Sequence, residues 1–176
     1  KDEMARVFTD LFVNGGAKDV PPLEAVSIYS GFSAYMPEGE QGAIATLNFA
    51  DSLITMDLLG KAAQLLEEQL RGGNVPQARV APTYNKLAAV YLLDSLPEKA
   101  LATLSNAGGD ATPQVNEERN LLRARAMSQL NRPDDAIAAL VSSTSTDALK
   151  LKADVLWRAR KWKEAQWCLT CRPDVL

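Results

Sequence analysis

The residue types best suited to chemistry close the chain, in Trp167-Cys168-Leu169-Thr170-Cys171. Two thiols separated by two residues can cycle between dithiol and disulfide, or supply half of a tetrahedral zinc site. Redox work needs the first cysteine at a helix N-terminus, where the dipole lowers the thiol pKa. Here the pair falls near the end of a helix, where the dipole has the opposite sign. Zinc needs two further ligands, and the sequence holds no other cysteine and no histidine. The expectation is two free thiols in a terminal helix, with an inter-chain metal site or disulfide as the alternative.

The missing histidine also removes Ser-His-Asp and Cys-His pairs and the commonest general base. The carboxylate pairs Glu67-Glu68, Glu117-Glu118 and Asp134-Asp135 are adjacent in sequence. Each pair diverges by about 100° on a helix, which suits solvated faces rather than an acid/base dyad. Gly72-Gly73 and Gly108-Gly109 read as helix terminators, not phosphate loops. No enzyme, cofactor or metal is expected.

The basic stretch Lys150, Lys152, Arg158, Arg160, Lys161 and Lys163 is interrupted by Asp147, Asp154 and Glu164, and the net charge is −3. Nucleic acid is therefore not expected as a partner. Charge is uneven: residues 1–70 carry 4 − 11 = −7 and residues 71–176 carry 15 − 11 = +4. Trp162 and Trp167 fall where a second helix would pack on a first, so both are expected in the core. Trp157 falls on the opposite side, where it would serve as a binding hot spot or be covered by a following repeat.

These residues need elements to hold them. With 176 residues and a 47% apolar fraction, the chain can bury one substantial core. No stretch approaches the roughly 18 apolar residues of a membrane span. Opening at Lys1-Asp2-Glu3-Met4 without an initiator methionine, the chain reads as a segment of a longer protein, so a missing signal sets no destination for the parent. Met4, Val7, Phe8, Leu11 and Phe12 share one face of a first helix over residues 2–13, ended by Asn14-Gly15-Gly16. Pro21-Pro22 opens a second helix carrying Val26, Tyr29, Phe32 and Met36, stopped by Pro37 and Gly39. Residues 1–39 are expected to form a degenerate repeat or end cap.

Beyond them lies a regular spacing. Ala50, Ala88, Ala124 and Ala153 are each followed by an alanine at the same distance: 62−50, 100−88, 136−124 and 165−153 all equal 12. A large apolar residue stands three after each first alanine (Leu53, Tyr91, Met127, Leu156), and a leucine four after each second (Leu66, Leu104, Leu140, Leu169). Small residues let helices approach and large ones fill the space beside them, so this is a stacked helical repeat. Four hairpins are predicted at 40–73, 78–109, 113–142 and 147–171, within one continuous domain over 40–176. Ser95 and Glu98 read as a capping box with Pro97 in the first turn, and Asn131 before Arg132-Pro133-Asp134 reads similarly. Thr112-Pro113 reads as a cap and helix start. No window has strand and hairpin signals.

The spacing resembles the tetratricopeptide repeat (TPR), W-x2-L-G-x2-Y followed by A-x3-F, A and P. Tyr84, Leu87, Ala88, Tyr91, Ala100, Leu104 and Ala107 occupy the signature positions in order, while the other copies keep mainly the alanines. The period drifts through 100−62 = 38, 136−100 = 36 and 165−136 = 29, against about 34 for the family. The chain also looks like a piece of the long TPR-like proteins of bacterial genomes. The resemblance implies an all-α, TPR-like right-handed superhelix of antiparallel helix pairs, about ten helices in all. It implies a non-enzymatic scaffold that binds a peptide or partner protein in a concave groove. That groove would present Asp51, Thr55, Asn85, Leu92, Arg125, Gln129, Lys150, Asp154 and Trp157. The carboxylate clamp of some family members is not reproduced, since Leu121, Leu122 and Arg125 stand where one repeat would supply it. The alternative is a structural segment whose faces pack on adjoining repeats.

Overall fold

The computed structural model describes residues 2–14, 20–32, 39–73, 75–108 and 111–170. Among them every regular element is helical: α1 (Asp2–Phe12), α2 (Pro22–Phe32), α3 (Gly39–Thr55), α4 (Leu59–Arg71), α5 (Gln77–Leu93), α6 (Pro97–Asn106), α7 (Pro113–Gln129), α8 (Pro133–Ala139), α9 (Thr146–Arg158) and α10 (Trp162–Thr170). None is long and apolar enough to cross a membrane.

Four tight turns share one bonding scheme. Asp57, Ser95, Asn131 and Arg160 all adopt φ between 57° and 60°, and each stands seven residues after a first alanine. The next amide reaches back five residues: Leu58 to Leu53 O, Leu96 to Tyr91 O, Arg132 to Met127 O and Lys161 to Leu156 O, all at 2.8–2.9 Å. The left-handed residue's own amide bonds the carbonyl three back, at 3.0–3.3 Å. This is a Schellman closure with a non-glycine residue in the left-handed position. The following helix then opens when the second alanine's amide bonds the carbonyl four back, as Ala62 does to Leu58 O and Ala100 to Leu96 O. The twelve-residue alanine gap is thus the length of one helix end, one closed turn and one helix start.

That closure overturns the expected capping box. Ser95 sits in the left-handed region, Leu96 is the N-cap, and no side chain caps α6. A capping serine needs extended backbone, which the turn denies to Ser95. Asn131 is displaced from capping α8 for the same reason, Arg132 taking the N-cap. Pro97 and Pro133 do open their helices, where the absent amide proton is no loss. Thr112 caps α7 as expected, its Oγ accepting from the Val115 amide at 3.3 Å. Ser145 caps α9 by accepting from the Ala148 amide at 3.2 Å. Gly73 lies at φ +69 just past α4, the conformation that suits glycine at a helix end.

All eight spaced alanines are buried, as are Leu53, Leu66, Tyr91, Leu104, Leu140 and Leu156. Each helix from α3 onward lies against the next, and α3, α5, α7 and α9 also touch in sequence. One apolar core runs from Phe12 through Leu104 to Ala126, and a smaller one gathers Ala124, Ala136, Leu140, Ala148 and Val155. Side-chain amides and a guanidinium tie helices to main-chain carbonyls: Asn48 to Phe12 O (2.7 Å), Asn85 to Val115 O (2.9 Å), Arg123 to Leu104 O (3.3 Å) and Gln129 to Leu92 O (3.2 Å).

At the N-terminal end, α1 and α2 both rest on α3. Phe12, Tyr29 and Phe49 make an aromatic cluster, Tyr29 stacked on Phe49 at 3.6 Å and Phe12 edge-on to both. Edge-to-face and stacked contacts of this kind add about 0.5–1.5 kcal/mol beyond burial. Val7, expected on the apolar face of α1, is half exposed. The side chains of Met4, Phe8 and Phe32, and residues Gly15, Gly16, Met36 and Pro37, lie outside the described residues.

Candidate interaction groove

A concave recess opens where α5, α7 and α9 meet. It is a cavity of about 380 Å³ lined by Ala89, Leu92 and Leu93 of α5, Leu122, Arg125, Ser128 and Gln129 of α7, and Leu151, Asp154 and Arg158 of α9. Residues three and four apart share a helix face, which is why each helix contributes such a set. Two positions recur in all three sets. Ala89, Arg125 and Asp154 each follow a first alanine by one residue, Leu93, Gln129 and Arg158 follow by five, and Leu122 and Leu151 precede by two. Two repeated positions therefore meet their counterparts across three helices.

Of the nine residues predicted for a groove, Leu92, Arg125, Gln129 and Asp154 line this cavity. Leu92 is itself buried and supplies floor rather than rim. Asp51 stands on α3 and pairs with Lys86 of α5. Thr55 is occupied by its own helix, its hydroxyl donating to Asp51 O at 2.8 Å. Lys150 is exposed on α9 and outside the lining. Trp157 is 61% exposed, as expected, but also outside the lining.

Asn85 needs correction. It is 0% exposed, so it presents nothing to a groove. Its amide enters the α5–α7 contact, donating to Val115 O and to Glu118 Oε2 at 3.1 Å. Both acceptors of its amide nitrogen lie on α7, while its Oδ1 is buried without a hydrogen-bond partner among the described residues. Trp162 is corrected too. Expected in the core, it is half exposed and meets Trp157 edge-to-face at 4.6 Å. Trp162 opens α10 immediately after the closed turn, which leaves its ring at the surface beside the end of α9. Sequence reasoning missed Ala89, Leu93, Leu122, Ser128, Leu151 and Arg158. The signal that finds them is their constant offset from the spaced alanines.

The electrostatics of the cavity are simple. Arg158 is held by Asp154, Nε to Oδ2 at 3.0 Å. Gln129 donates its amide to Leu92 O. No described residue forms an ion pair with the exposed Arg125, so the lining carries a net +1, from Arg125 and Arg158 less Asp154.

Elsewhere, the perturbed groups serve packing. The Tyr91 phenol donates to Glu67 of α4; burial first, then Glu67, push its pKa up to about 12. Lys99 stands 5.6 Å over the same ring. Arg119 has Nε and one Nη buried without a hydrogen-bond partner, and burial, then Arg123, lowers its pKa. Glu117 of α7 accepts from the Ser145 hydroxyl at 2.6 Å, which holds its carboxyl below the usual range. Among the described residues, no group of three or more His, Cys, Asp or Glu is placed to hold a metal. The Cys168 side chain and Cys171 lie outside them. Set against family models, curated proteins and solved structures, the chain matches none.

Proposed function

We propose that the chain is a TPR-like right-handed superhelix of antiparallel helix pairs, a non-enzymatic scaffold that binds a peptide or partner protein along α5, α7 and α9. The observation that carries this is the equivalence of the cavity's lining: the same repeat positions face one recess from three helices. The four like turns support the repeat architecture, since each closes its pair of helices with the same backbone bonds. A recess with an apolar floor and few, fixed polar groups is suited to recognition.

A second reading has its own support. Trp157 and Trp162 are exposed as a pair on α9 and α10, and an aromatic patch of this kind suits a surface covered by further protein. In that reading the chain is a structural segment whose faces pack on adjoining repeats.

Affinity capture with three forms of the chain separates the two: the natural sequence, Arg125→Glu in the recess, and Arg71→Glu at the end of α4. Under the scaffold reading a partner is retained by the natural chain and by Arg71→Glu, and falls at least about tenfold with Arg125→Glu. The melting temperature of Arg125→Glu should agree with that of the natural chain within about 2 °C, since Arg125 is exposed, whereas Arg71→Glu also loses the pair with Glu67 at the end of α4. Equal capture by all three forms defeats the scaffold reading.

A further inference from the structure

We infer that the recess between α5, α7 and α9 selects an acidic peptide segment, taking one large aliphatic side chain with a carboxylate beside it. The inference rests on the groove reading above and adds the chemistry of the occupant. Four leucines shape the apolar part: Leu92 and Leu122 are buried at the floor, Leu151 is half-buried, and Leu93 stands 59% exposed at the edge. A volume of about 380 Å³ lies at the small end of ligand recesses, suited to one side chain and its flanking backbone rather than to a cofactor.

Charge decides what accompanies that side chain. Asp154 is already engaged by Arg158, so neither needs a charged partner from outside. Arg125 is exposed and free to take one, because no described residue pairs with it. Its guanidinium presents a planar fork of donors matched to a carboxylate, and an occupant that brings one neutralises the lining's net +1. A basic segment would meet the opposite condition, with Arg125 repelling it beside an apolar floor. Gln129 adds direction. With its amide nitrogen held by Leu92 O, the amide oxygen is left to accept a backbone N–H from the occupant.

The test uses three fluorescein-labelled decapeptides: alternating Glu and Leu, alternating Lys and Leu, and alternating Glu and Ser. Binding is followed by anisotropy with the natural chain and with Arg125→Glu, and the site is mapped by amide chemical-shift changes. The Glu/Leu peptide should bind at least about tenfold more tightly than either other peptide, with shifts gathered at Leu92, Leu122 and Leu151. Arg125→Glu should remove that preference and favour Lys/Leu, with an unchanged melting temperature. Equal binding of Glu/Leu and Lys/Leu, no effect of Arg125→Glu, or no binding at all overturns the inference. Shifts that remain at the three leucines with the Lys/Leu peptide overturn the charge selection and leave the groove reading standing. Shifts confined to the Trp157–Trp162 surface defeat both. Self-association that fills the recess with a second copy, seen by sedimentation, also overturns the acidic-peptide assignment.

Discussion

The pair α5–α6 and the pair α9–α10 turn over the same bonds and are packed very differently. In both, a left-handed residue follows the first alanine by seven positions, and the next amide reaches back five residues to a large apolar residue's carbonyl. Yet α5 buries eight side chains and α9 only four. The cause is neighbours: α5 is flanked by α3, α4, α6 and α7, whereas α9 meets α7, α8 and α10. Turn geometry is a local property and repeats faithfully. Burial is non-local and depends on what stands on each side.

The most severe test of that contrast compares Leu104→Ala with Trp162→Ala. Leu104 is 1% exposed, and removing it should cost about 3 kcal/mol. Trp162, larger but half exposed, should cost under about 1 kcal/mol, chiefly its edge contact with Trp157. Urea denaturation of both variants measures this, and comparable losses would break the contrast.

Overpacking comes next. Ala88→Leu forces a large side chain between α5 and its neighbours and should cost about 1–3 kcal/mol. Ala153→Leu in the more open pair should cost less. The opposite ranking in thermal melts would show that α9 is the tighter helix.

Substitutions at the turns sharpen the local half of the comparison. Ser145→Ala should cost about 1 kcal/mol, because it removes a true cap on α9. Ser95→Ala removes no cap and should be nearly neutral. Ser95→Gly should gain a few tenths of a kcal/mol, since glycine accepts the left-handed conformation without penalty. A cost for Ser95→Gly in chemical melts would contradict the Schellman assignment.

The smallest effect is one of pH. Glu117 has its folded pKa held below 4.5 by the Ser145 hydroxyl. The folded state therefore binds this proton less tightly than the unfolded state. The stabilisation is full above pH 4.5 and is lost as pH falls through the folded value. Glu117→Gln should flatten that part of the acid unfolding curve, and an unchanged slope would remove Glu117 from the account.

The all-helical class and the burial of the alanines were legible in sequence because both follow from spacing. Small residues at Ala50, Ala88 and Ala124 have one use when they recur with large ones three and four positions away. The closed turns were not legible by residue type, because Asp57, Ser95, Asn131 and Arg160 share no chemistry and only their position recurs. Asn85 was misplaced because its partners, Val115 O and Glu118, lie more than a turn away on another helix. Trp162 was misplaced because its place on the second helix suggested packing against the first, while it opens α10 directly after the turn and stays half exposed. Within the recess, Leu92, Arg125, Gln129 and Asp154 were found, and Leu93, Leu122 and Leu151, with Ala89, Ser128 and Arg158, were not. An apolar side chain in a helix gives no sign of whether it lines a core or the floor of a cavity.

Four of the ties that cross between helices end on main-chain oxygen: Phe12, Leu92, Leu104 and Val115 receive through their carbonyls. Every amino acid carries that acceptor, so replacing the receiving residue leaves the bond intact. Copies joined in this way can diverge in composition without slipping out of alignment. Mutational drift can then erode a repeat's lettering while its register endures.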